Sequence, residues 1–178
     1  MRERPDTERL RVWRHFLSAH SRVMAELERE LKETVGISLA QYDVLLKLGE
    51  APDRELRMSA LSAAVLYTTG GVTRLVDRME AAGLVVREPS PSDRRSVLAR
   101  LTPEGKALLT RAAPIHLAGV RRHFTDFLPD EELAVVDRFT TRIALPDARP
   151  ASGRCAPTRP GALDDERQPD ERERSVDA

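Results

Sequence analysis

A mainly α fold with one small β-hairpin is predicted by three observations. Apolar residues recur at helical spacing over most of the 178-residue chain. Only between Leu84 and Leu101 does the period change to alternation, in two short β-branched runs. Aromatics are 4% of residues against 40% apolar overall, so the core must be built from Leu, Val and Ala, which suits helices.

The first helix is long. Leu10, Trp13, Leu17, His20, Met24, Leu27 and Leu31 are spaced alternately three and four apart, a heptad seam about 30 Å long. Val12, Phe16 and Val23 add a second apolar stripe, more than one partner helix needs. Two readings fit: a well-buried core helix, or a helix shared between its own core and a second subunit. Gly36 ends it.

Ser38 and Gln41 then form a capping box for a second helix running to about Leu48, with Val44, Leu45 and Leu48 inward. A turn at Gly49 to Asp53 leads into a short strand over Leu56 to Met58. A third helix spans about Ser59 to Leu66, and a fourth runs from Thr68, as N-cap, to Gly83. Two strands follow, 84–88 and 96–101, joined by the Pro- and Ser-rich loop 89–95. Thr102-Pro103 opens the next helix, which Pro114 should kink. The last helix runs from about Pro129 to Leu145.

Helix, short strand, helix, helix, strand, loop, strand is the order of a winged helix-turn-helix. In that motif one helix enters a major groove and the hairpin tip touches backbone or minor groove. The predicted fold class is therefore mainly α with a small β-hairpin wing, a winged helix-turn-helix plus a helical dimerisation region. Four segments are expected: an N-terminal dimerisation helix (1–36), the DNA-binding region (37–102), C-terminal dimerisation helices (103–145) and a disordered tail (146–178). The tail holds five of the twelve prolines and little apolar content, too little to offset its ordering entropy.

Charge adds a weak hint. Lys+Arg and Asp+Glu both total 29, but eight Arg face five acids between Arg54 and Arg100. The tail reverses this with six Arg and eight acids. No signal peptide is expected, the longest run of apolar residues or Gly is six (Ala81 to Val86), and one cysteine excludes an internal disulfide. A cytoplasmic protein with no membrane partner follows.

In the fourth helix Val72, Leu75, Val76 and Met79 fall on one face, leaving Thr69, Thr73, Arg74 and Arg78 outward. Thr73 can meet a thymine methyl, and Arg74 can take guanine O6 and N7 bidentately. Gly70 and Gly71 are poor helix formers in the expected first turn. Without side chains there, unpaired N–H groups can lie close to phosphate. A tight turn between helices is the competing reason for glycine. In the wing, Asp93 and Arg95 point the same way on an extended chain, so Asp93 is expected to hold the Arg95 guanidinium for a narrow minor groove. Arg94, on the other face, would find phosphate.

The run G83-L-V-V-R-E-P-S-P-S-D-R-R-S-V-L-A-R-L-T-P-E-G105, with D77-R-M-E-A-A-G-L84 before it, resembles the signature of the MarR family of bacterial regulators. The likeness covers about Arg9 to Leu145. It implies an obligate homodimer built from the first and last two helices, bound to a pseudo-palindromic DNA operator. It also implies repression, relieved when a small, often aromatic anion occupies a pocket between the dimerising and DNA-binding parts. Thr68 to Arg74, Arg78, Asp93 and Arg95 take the family's DNA-contact roles.

For a ligand, Trp13, His20 and Tyr42 are the candidates, because similar urate and phenolic-acid sensors carry a Trp in the first helix; core packing competes for all three. Cys155 lies in the tail, unlike the first-helix cysteine of oxidant-sensing relatives. His15 and His20, five apart, share no helix face, so no metal is expected, nor any cofactor. No nucleophile elbow, phosphate loop or metalloprotease spacing is present, so no catalysis is expected. The alternative function is a DNA-binding dimer without a small-molecule effector, regulated by a protein partner through the tail.

Overall fold

The computed structural model describes residues 5–66, 71–91, 93 and 95–145. Thr68, Thr69, Gly70, Arg94, Cys155 and the expected disordered tail lie outside the described residues. The elements are α1 (Pro5–Val35), α2 (Leu39–Glu50), β1 (Glu55–Arg57), α3 (Met58–Ala64), α4 (Val72–Ala81), β2 (Val85–Pro89), β3 (Val97–Leu101), α5 (Pro103–His123) and α6 (Asp130–Ala144). The chain divides into two compact units after Leu133.

Local chemistry sets most boundaries. Gly36 ends α1 with φ of 76°, a left-handed turn that glycine adopts without steric cost. The α2 capping box is present in both directions: Gln41 N donates to Ser38 Oγ at 3.1 Å, and Ser38 N donates to Gln41 Oε1 at 2.8 Å. Gly83, with φ of 71°, closes α4 in a Schellman motif, Leu84 N donating to Met79 O and Gly83 N to Glu80 O, each at 2.9 Å. Thr102 caps α5, accepting from Gly105 N at 3.0 Å, while its hydroxyl hydrogen reaches the Gly83 and Leu84 carbonyls. One side chain thereby caps a helix and ties it to the end of another. Pro114 stands inside α5, which continues as one helix from Pro103 to His123.

Two boundaries moved. The turn expected at Gly49 to Asp53 falls later, because α2 continues through Gly49 to Glu50. A Cβ at Gly49 would lie 2.6 Å from Leu109 Cδ2 of α5, so any larger residue there requires that side chain to shift. The left-handed residues are instead Asp53 and Arg54. The fourth helix begins at Val72 with Gly71 as N-cap, so the expected cap at Thr68 is corrected.

The sheet has the order β1-β3-β2, antiparallel throughout. Leu56 pairs with Ala99 and Val85 with Leu101, which anchors the hairpin base in the core. That core joins Leu27 and Leu31 of α1, Val44, Leu45 and Leu48 of α2, Leu61 of α3, Val76 and Met79 of α4 and Leu108 of α5. At about 25 cal/mol per Å² of apolar surface, each such side chain contributes about 1.5–3 kcal/mol. The N-terminal part of α1 takes no part in it: Leu10, Trp13, Phe16 and Leu17 are exposed. On α6, considered by itself, Leu133, Phe139 and Ile143 are exposed as well.

Candidate nucleic-acid interface

Helix α4 buries Val72, Leu75, Val76 and Met79, the four residues its periodicity selects. Thr73, Arg74, Asp77 and Arg78 are left exposed on the opposite side. Gly71 takes φ of −123°, open to any residue, so backbone freedom does not account for glycine at this position.

The wing differs from expectation at one point. Asp93 Oδ1 accepts from the backbone N–H of Arg95 at 3.0 Å, and its Oδ2 accepts from the Ser96 hydroxyl at 2.7 Å. Among the described residues its ionic partner is Arg57 of β1, 3.9 Å away, which also donates to Ser96 Oγ at 3.3 Å. Asp93 therefore shapes the loop and does not hold the Arg95 guanidinium. The physical reason is that Ser96 N donates back to Asp93 O at 2.9 Å, so the alternation of an extended chain does not apply. The Ser96 hydroxyl, the Arg95 N–H and nearby Arg57 hold the Asp93 carboxyl below its ordinary value.

The described arginines of the 54–100 segment divide into two groups. Arg57, Arg87 and Arg100 are tied to carboxylates: Arg87 to Asp77 and Glu80, Arg100 to Glu55 and Glu88. Among the described residues Arg54, Arg74, Arg78 and Arg95 have no ion pair. Three of these four are sequence-predicted DNA contacts. An open cleft of about 380 Å³ runs between wing and helix, lined by Arg57, Ser59, Thr73, Arg87, Arg95 and Ser96 among others. Arg95, with the Ser59 and Thr73 hydroxyls, gives it donors suited to phosphate oxygens.

Sequence reasoning assigned no role to Arg57, Arg87 or Asp43. Asp43 is 3% exposed, and its Oδ2 accepts from Leu66 N at 2.6 Å, tying α2 to the chain just after α3. A carboxylate inside the apolar face of α2 was the available signal, since a buried charge needs a partner.

The ligand candidates separate into two places. Trp13 stacks on Phe16 with centroids 5.9 Å apart, and Phe16 tilts against His20 at 6.4 Å, all on the exposed part of α1. Tyr42 is buried and stacks on His116 of α5 at 4.4 Å. His116 Nε2 is buried without a hydrogen-bond partner. Burial pushes that imidazole below its ordinary value, opposed by the nearby Asp43 charge.

Among the described residues no group of three His, Cys, Asp or Glu could hold a metal ion, and no helix is long and apolar enough to cross a membrane.

The family model for the MarR family matches residues 35–96. An HTH-type transcriptional regulator of Bacillus subtilis, YkoM, is 32% identical over 123 residues, covering 69% of this chain and 78% of the relative. Two MarR family regulators of Streptomyces coelicolor share the fold. AbsC has 36% identity and a TM-score of 0.72, with 81% of this chain and 96% of that one covered. Sco3205, whose structure is a complex with DNA, has 34% identity and a TM-score of 0.73, with 85% and 93% covered. The exposed α4 face, the arginine wing beside it and these likenesses agree: the chain belongs to the MarR family of winged helix-turn-helix, DNA-binding transcriptional regulators, and is not an enzyme.

Proposed function

We propose that this regulator is a homodimeric repressor that reads a pseudo-palindromic operator and is released by a small aromatic or anionic ligand. The observation that carries the DNA half is a set of exposed arginines with no ion pair among the described residues, Arg74 and Arg78 on α4 and Arg95 on the wing. Charge already committed to a carboxylate neutralises phosphate poorly; these guanidiniums are uncommitted. Arg74 and Thr73 take base edges in the major groove, with Arg78 beside them. Arg95 enters the minor groove, and Arg94 meets phosphate. Thr68, Thr69, Gly70 and Gly71 bring the start of the helix close to the backbone. Sco3205, a relative solved in complex with DNA, supports the DNA-binding half of this reading.

Residues 37–102 are assigned to DNA binding, 1–36 and 103–145 to dimerisation. Exposed Leu10, Trp13 and Leu17, at heptad spacing, are the face offered to the second copy. The aromatic ladder of Trp13, Phe16 and His20 at that face gives a planar ligand a stacking surface. Tyr42 with His116 forms a separate polar aromatic pair within the fold.

Fluorescence anisotropy of the protein against DNA from upstream of its own gene tests this, at two salt concentrations and with urate, salicylate and other aromatic acids. Salt-sensitive binding that exceeds scrambled DNA, and is lost with one compound, is the expected result. Specific binding indifferent to every compound removes the ligand half. Arg95→Ala is expected to weaken operator binding by about tenfold or more with the dimer intact, the order of one lost base contact. Unchanged affinity removes the wing's assigned role.

A further inference from the structure

We propose that Arg87 is a positioning residue that locks the recognition helix α4 to the wing, so that the two DNA-reading elements meet adjacent grooves in one register. The inference rests on the reading of α4 and the wing as the DNA-reading elements. Arg87 sits in the middle of β2, opposite Ala99 of β3. Between α4 and β2 the covalent connection is a turn, with Gly83 in the left-handed region. Such a turn fixes the helix end and the buried apolar face holds the helix to the core, which leaves the polar side next to β2 to be set by side-chain contacts.

Arg87 closes that side. Its backbone N–H donates to Glu80 Oε1 at 2.8 Å, while Nε and Nη2 donate to Glu80 Oε2 at 2.9 and 2.6 Å. Nη1 meets Asp77 Oδ1 at 2.6 Å. Two carboxylates nearly one helical turn apart thus grip one guanidinium, an arrangement that needs the planar fork of Arg and that the single ammonium of Lys does not reproduce. Glu80 is held below its ordinary carboxyl value first by the Arg87 side chain and then by its backbone N–H.

All three side chains are partly exposed, so their ion pairs add little to global stability. What they fix is an angle. A helix in one groove and a hairpin tip in the next must be spaced as the grooves are, and recognition contacts tolerate misplacement of only about 0.5 Å. Asp77 gives a second reason. It stands exposed among Thr73, Arg74 and Arg78, where an unpaired carboxylate would repel the DNA backbone, and Arg87 offsets it.

Two variants of the 178-residue chain test the lock by changing charge in opposite directions. Arg87→Met removes a cation; Asp77→Asn with Glu80→Gln removes two anions and is isosteric, so it stands alone if Arg87→Met fails to fold. Anisotropy titrations compare the operator duplex with scrambled DNA at several salt concentrations. In both variants the ratio of operator to scrambled affinity is expected to fall about tenfold or more, the order of one misread base pair. Scrambled-DNA affinity is free to move in opposite directions as the charges do. An unchanged ratio in the isosteric variant overturns the proposal. So does a loss confined to Arg87→Met that is equal on both DNAs and lowers the salt slope by about one, because Arg87 is then a phosphate contact. A wild-type chain without operator preference overturns the interface reading itself, and this inference with it.

Discussion

The two ends of α1 carry one apolar seam and meet opposite surroundings. Leu27 and Leu31 are 2% and 0% exposed, whereas Leu10, Trp13 and Leu17 on the same seam are 57%, 54% and 45% exposed. The packed end lies against α5 so closely that a Cβ at Gly119 would come within 2.7 Å of Leu27 Cδ2 and Glu30 Oε2. There Glu30 also accepts from Arg122 and from His123. Periodicity tells which face of a helix is apolar. It does not tell what covers that face, and here the answer changes along the helix.

Breaking the packed end is expected to have the largest effect. Leu31→Ala should destabilise the fold by about 2–5 kcal/mol, through lost transfer energy and the cavity left behind. A thermal melt unchanged by this substitution would show that the seam is not core at Leu31.

Glu30→Ala comes next, at about 1–2 kcal/mol, since it removes the acceptor shared by α5 and leaves Arg122 to solvent. The His123 hydrogen bond is the chief cause of the lowered Glu30 carboxyl value. A carboxyl lowered on folding contributes stability above its unfolded value and loses it as pH falls through the folded one. The Glu30→Ala penalty should therefore shrink at acid pH, below the ordinary carboxylate range. A penalty independent of pH would assign it to packing.

His116 sharpens the comparison from the α5 side, with a smaller effect. Burial lowers its folded value, so below about pH 6.5 the unfolded state binds more protons than the folded one. Stability should fall as pH drops through that window, and His116→Phe should flatten the slope. An equal slope in both proteins would place the titrating group elsewhere.

The smallest effect on folding is expected at the open end. Leu17→Ala should leave the unfolding free energy of the single chain within about 0.5 kcal/mol, as for other exposed positions. Its signature is expected in sedimentation, as dissociation at higher protein concentration than wild type. Identical association would mean that the second copy does not use this face.

The fold was legible wherever the determining contacts are local. Ser38 with Gln41, Thr102 with Pro103, and the glycines at 36 and 83 announce helix ends because capping acts over two to five residues. The α4 face was legible for the same reason: four apolar residues at helical spacing leave Thr73, Arg74 and Arg78 outward in any packed helix. The wing was half legible. Its strands followed from alternation, but Asp93 and Arg95 were read on an extended chain, whereas Ser96 N donates back to Asp93 O.

By itself, then, the sequence determined the order of elements, the caps of α2 and α5, the apolar faces and the family to which the chain belongs, all expressed in patterns a few residues wide. Only the tertiary structure decided which charges are spent and which are free. Arg57 finds Ser96 across 39 residues and Arg100 finds Glu55 across 45. Arg87 reaches back from a strand to a helix. Such pairings depend on where the packed core sets each backbone, to within the few ångströms over which a hydrogen bond forms, and residue spacing does not encode that distance.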